Sequence, residues 1–142
     1  MKNYKQLTLY FDRIPIGITQ SGVEKFITDE MNRLSTTTGY PITNLSLEFS
    51  DEAKDRTIAC FRYYDGLPRE SIGFCFFIPN LNGLSANKIV DTCRHEFAHY
   101  IVCEQGIIEK DAHGPRWQEV CRKLNAIPSA YKDISLTKHF SN

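Results

Sequence analysis

His95-Glu96-Phe97-Ala98-His99 sets two histidines four residues apart with a glutamate beside the first. An α-helix turns about 100° per residue, so positions four apart nearly overlay, with Cβ atoms about 5–6 Å apart. Two imidazoles placed that way can share one Zn²⁺ at N–Zn distances of about 2.0–2.1 Å. Glu96 points toward the same side. There it can take a proton from water, as the metalloprotease reading of an HExxH pattern requires.

Two histidines on a helix can also be ordinary solvated or core residues, so the context of the motif has to decide. Ile89, Val90, Cys93, Phe97 and Ile101 recur at spacings of three and four, the stripe of an amphipathic helix. The histidines fall roughly opposite that stripe on a helical wheel. Ala98 and Val102 flank them, so their face is expected to be covered as well. Covered imidazoles need partners, and a metal supplies them. Ser85 is a fitting N-cap, and the helix is expected to run to about Glu104, ahead of Gly106.

A catalytic zinc takes three protein ligands and keeps a fourth position open. The downstream candidates are His113, Glu119 and His139. The metzincin spacing, six residues beyond His99, falls on Gln105 and fails. Glu119 lies twenty residues beyond His99, a separation that some zinc proteases use. It falls off the Trp117/Val120/Cys121/Leu124 stripe of the next helix, so it is expected to face water. His113 stands at the threshold of that helix, after a loop over 106–113 that can aim it back at the first pair. Pro115 suits the first helical turn, and the helix should end before Pro128.

Upstream, Ser21 and Glu24 have the form of a capping box for a helix carrying Val23, Phe26, Ile27, Met31 and Leu34, stopping near Gly39. Three strands are expected next, near 42–50, over 57–64 and over 72–78. The last is apolar on both faces and therefore buried. The turn signal Asp65-Gly66 makes the last two strands a hairpin. Residues 1–20 are expected to form an arm and 128–142 a tail. The sum is an α+β domain: an N-terminal helix, a three-stranded sheet, the HExxH helix and one further helix.

With 142 residues, one domain spanning 1–142 is expected, large enough for a core without disulfides. Seventeen basic residues balance seventeen acidic ones, which removes the basic excess typical of nucleic-acid binders. The five cysteines (60, 75, 93, 103 and 121) are odd in number and form no CxxC pair, against a disulfide framework or a four-cysteine zinc ribbon. Most are expected to pack as small core residues. The first residues lack a signal-peptide pattern and no apolar run is long enough to span a membrane, so a cytoplasmic setting is expected.

HEFAH followed, after about a dozen residues, by His113-Gly114-Pro115-Arg116-Trp117 resembles the SprT-like (Spartan-type) metallopeptidase domain. The helix–three strands–helix–helix order is similar too, over about residues 20–127. The resemblance implies a zincin-like fold, zinc held by His95, His99 and His113, and Glu96 as general base in peptide hydrolysis. Trp117 would stand where the family has its aromatic, packing under the His113 turn. Many members carry a C-terminal zinc ribbon or DNA-binding regions. No cysteine follows Cys121 here, so that route to DNA-associated substrates is weakened.

The expected partner is a protein or peptide, laid along an exposed strand near the helix, with the strand ending at Ile78 as a candidate. DNA association would draw on Arg116, Arg122 and Lys123. Tyr100, Arg116 and Tyr131 are candidates to stabilise an oxyanion, and Asp91 to orient a ligand histidine. The competing expectation is a non-catalytic zinc-binding or nucleic-acid-associated module, with Glu119 or His139 closing the site as a fourth ligand.

Overall fold

The computed structural model describes residues 20–63 and 72–129. The elements run α1 (Gln20–Thr38), β1 (Ser46–Ser50), β2 (Ala59–Arg62), β3 (Gly73–Phe77), the one-turn α2 (Ile78–Leu81), α3 (Ala86–Glu104) and α4 (Pro115–Leu124). This is the expected α+β order, with α2 added. The arm, the Asp65-Gly66 turn and most of the tail lie outside the described residues.

The sheet order is β1-β3-β2. β3 runs parallel to β1, with Phe74 opposite Leu47, and antiparallel to β2, with Phe74 opposite Phe61. The antiparallel pairing of β2 with β3 agrees with the hairpin expectation. All five β3 residues are buried, because a strand with neighbours on both edges and apolar side chains on both faces has no route to water. Gly73 permits the close approach of β1: a Cβ there would lie 2.1 Å from the Ser46 carbonyl oxygen. Phe74 packs against Phe97 and Tyr100 of α3, Phe61 against Phe74 and Tyr100, and Phe49 stacks on Phe76 in the same core. Each fully buried Phe contributes about 1.5–3 kcal/mol.

Helix α1 is already formed at Gln20, so Ser21 lies within it rather than capping it. At the other end, the Gly39 amide bonds to Ser35 O and Gly39 has φ +80°, the left-handed stop that Gly accepts without strain. The strand expected to reach Ile78 ends at Phe77, and Pro79 opens α2 instead.

Helix α3 keeps its expected bounds. Ser85 Oγ accepts the Lys88 amide at its start, and Gly106 at φ +70° ends it. The Ile89/Val90/Cys93/Phe97/Ile101 stripe is buried, and so are Arg94, His95, Glu96 and Tyr100. The helix is therefore enclosed on most of its circumference.

Arg94 is charged and 1 % exposed. Its partner is Glu30 of α1, at 3.5 Å, whose carboxylate also accepts two hydrogen bonds from Arg33 at 3.0 and 2.6 Å. Arg94 also reaches the Asn125 carbonyl at the end of α4. One ionic knot thus ties three helices. Periodicity gave no sign of it, because Glu30 lies between Ile27 and Met31 and completes the buried face of α1 as if it were apolar.

Candidate metal centre

The His95 and His99 rings project from α3 with centroids 5.0 Å apart. His113, from the loop before α4, brings its centroid to 5.3 Å from His95 and 4.9 Å from His99. One ring nitrogen of each lies within 4.8 Å of those of the other two. The three imidazoles expected to converge do so.

The separation of 3.3 Å between His99 Nε2 and His113 Nε2 tests the fit of a metal. Two nitrogens each about 2.0–2.1 Å from one tetrahedral ion stand about 3.3–3.4 Å apart, so this edge has the size zinc requires. Burial, then the neighbouring His95 and His113, push the His99 imidazole down from 6.5 to about 3. At neutral pH the ring is uncharged, with a lone pair to give. Glu96, 7 % exposed, places Oε2 3.5 Å from His95 Nε2, on the side where the three rings meet.

Trp117 is the floor of this cluster. Fully buried, it has ring centroids 4.7, 5.2 and 4.6 Å from His95, His99 and His113. Its Nε1 donates to the His95 carbonyl at 3.3 Å. It packs beneath all three rings, beyond the single His113 turn expected of it.

The loop that aims His113 is fixed by residues the sequence reading passed over. Asp111 Oδ1 accepts the His113 amide at 2.9 Å, and Gln118 Nε2 donates to the His113 carbonyl at 2.9 Å. Glu109 folds onto the start of α4, its two oxygens accepting the Arg116 and Trp117 amides at 3.1 and 3.2 Å. It satisfies two amides that a helix start leaves without acceptors. An acid six residues before Pro115 matches no local capping pattern, which is why spacing did not reveal it. Gly114 makes room: a Cβ there would lie 2.6 Å from Glu109 Oε2.

The model of the SprT-like family matches residues 18–138. The chain belongs to the SprT-like family. That family is commonly associated with metallopeptidase-like domains. Neither the curated proteins nor the solved structures compared with the chain give a match.

In this SprT-like chain three of the other candidates, Glu119, Arg116 and Tyr100, are engaged elsewhere. Glu119 faces water, as expected, and pairs with Arg116 at 3.0 Å and Lys123 at 3.4 Å. Hydrogen bonds from Arg116 and Lys123 hold its carboxyl below the usual range. Arg116 also donates to Gln105 Oε1 at 2.9 and 2.7 Å, so its guanidinium is turned to these partners and not to an oxyanion. Tyr100 is fully buried and its hydroxyl donates to the Pro41 carbonyl, which removes it from that role too. Asp91 Oδ1 accepts the Ile127 amide at 2.9 Å, anchoring the chain beyond α4. Tyr131 and His139 lie outside the described residues.

The SprT-like centre opens into a cleft of about 740 Å³ walled by α3, by β2 with the loop before it, and by the 106–113 loop. Here the strand expectation is corrected. β3 has both edges occupied and cannot accept another strand; β2, at the margin of the sheet among the described residues, lines the cleft. No helix among the described residues is long and apolar enough to cross a membrane.

Proposed function

We propose that this protein is a zinc metalloendopeptidase of zincin-like architecture, with His95, His99 and His113 as ligands and Glu96 as general base. The observation that carries the reading is three imidazoles and one buried carboxylate converging at the head of a cleft that runs past a sheet edge. Zinc, when bound, supplies Lewis acidity that acidifies water toward a pKa of about 7 and polarises a carbonyl. Glu96 accepts a proton from water at its carboxylate and delivers it to the departing amine. Trp117 and Glu109 hold the histidines so that little reorganisation is needed. β2 offers backbone groups on its outer edge to an extended peptide, which is then read by strand addition. A cytoplasmic setting belongs to this reading and rests on the odd cysteine set, none of them in a disulfide.

Two features favour a working site over a closed structural one. Glu119, the described candidate for a fourth ligand, is engaged at the surface, and the cluster faces a cleft. A role on DNA-associated proteins draws less support, since Arg116 and Lys123 are both paired with Glu119.

Metal analysis and cleavage of an unfolded protein substrate test the reading together. Glu96→Gln should keep zinc and lose cleavage, His113→Ala should lose zinc, and Glu119→Ala should change neither. Cleavage retained by Glu96→Gln would refute the assigned chemistry.

A further inference from the structure

Large apolar side chains are exposed at three described positions: Tyr63 at 47 %, Ile107 at 39 % and Ile108 at 91 %. All three line the cleft that holds the histidines. Single exposed apolar residues are ordinary, but their gathering around one opening marks a binding surface.

Ile107 has a local explanation. Its amide reaches the Val102 carbonyl and the Gly106 amide reaches the Cys103 carbonyl, the paired bonds of a Schellman turn, in which a residue in Ile107's place commonly packs on one in Val102's. Ile108 has none. The turn fixes Ile107 and leaves the next side chain outward, five residues before His113. Val102, Ile58 and Phe61 continue the apolar wall inward.

We infer that this wall is a specificity subsite for a bulky apolar side chain, such as Leu or Phe, next to the bond being cut. The substrate class is therefore extended polypeptide bearing large apolar residues, the kind of segment that folded proteins bury and unfolded ones expose. The inference takes the substrate's position from the peptidase reading and its chemistry from the pattern of exposure. The β2 edge supplies the backbone contacts of strand addition, which do not discriminate side chains, so selection falls to the apolar wall. A cleft of about 740 Å³ is within the range of about 300–1,000 Å³ usual for ligand sites.

The test uses zinc-loaded Glu96→Gln and labelled peptides of one backbone sequence that differ at a single central residue: Leu, Phe, Ser or Asp. Fluorescence anisotropy should show Leu and Phe peptides bound about tenfold more tightly than Ser or Asp peptides, as expected for burial of one apolar side chain. Ile108→Ser, a change at an exposed position, should keep zinc content and thermal unfolding while cutting that preference several-fold. Equal binding of all four peptides overturns the subsite. So does an Ile108→Ser variant whose peptide preference is intact but whose self-association, by sedimentation, is lost, because the wall then serves a second copy of the chain. Wild-type protein run on the same peptides separates the two readings. Selective binding without cleavage keeps the subsite and rejects the peptidase; cleavage indifferent to the central residue does the reverse.

Discussion

The indole of Trp117 is stacked on the His99 imidazole at a centroid distance of 5.2 Å and an interplanar angle of 20°. The same indole meets His95 and His113 edge-on, so one side chain of α4 sets the inclination of three rings from two other segments. Trp117→Ala should cost about 3–5 kcal/mol of stability, the range for emptying a large buried site. It should also weaken zinc binding, because the rings lose their floor. Trp117→Phe keeps much of the bulk but loses the bond to the His95 carbonyl, and should cost nearer 1 kcal/mol. Chemical denaturation with chelator present, paired with zinc titration, separates the two effects. Equal affinity in wild type and Trp117→Ala would remove the floor from the account.

Gly114 and Glu109 are coupled by space. A methyl group at 114 would displace the carboxylate that caps α4, since the nearest atom it meets is Glu109 Oε2 at 2.6 Å. Gly114→Ala should therefore destabilise the fold by about 1–2 kcal/mol, the scale of a lost cap. In a Glu109→Ala background the same change should cost less. A double-mutant cycle with no coupling would show that the two residues act independently.

The ionic knot of Glu30, Arg33 and Arg94 is buried enough that removing one member strands another. Glu30→Ala leaves Arg94, at 1 % exposure, without its carboxylate. A loss of about 3–5 kcal/mol is expected in urea unfolding. Combining Glu30→Ala with Arg94→Met should recover part of it, because the uncompensated charge goes too.

Acid should weaken the metal-free protein through His99. Its folded pKa is about 3 against an ordinary 6.5, held down first by burial and then by His95 and His113. Between those values the unfolded chain binds the proton and the folded chain does not, so stability rises with pH across the window. The contribution is complete above 6.5 and is lost as pH falls toward 3. The urea midpoint measured in chelator should fall between about pH 7 and about pH 5. His99→Gln should flatten that slope, and an unchanged slope would assign it to other groups.

The sequence by itself placed the histidines and the elements that carry them. Ser85, Gly106 and Pro115 act within a turn of the helix ends they mark, and the α3 stripe repeats at helical spacing, so these features need only near neighbours. The same locality explains the double burial of β3. A strand apolar on both faces belongs in the core, which the run from Ile72 to Ile78 already implied, whereas the filling of both its edges by β1 and β2, which ends its candidacy as a docking edge, is a matter of sheet order.

Only the tertiary structure decided the rest. Which strand stays open depends on β1 passing beyond β2 to pair with β3. Tyr100 is a core residue because Pro41, fifty-nine positions away, accepts its hydroxyl. Glu109 supports His113 because a loop folds it onto a helix start, and Glu30 is buried because Arg94 meets it from another helix. These roles rest on contacts between residues distant in the chain, and a charge or hydroxyl changes its meaning with the partner that folding brings to it.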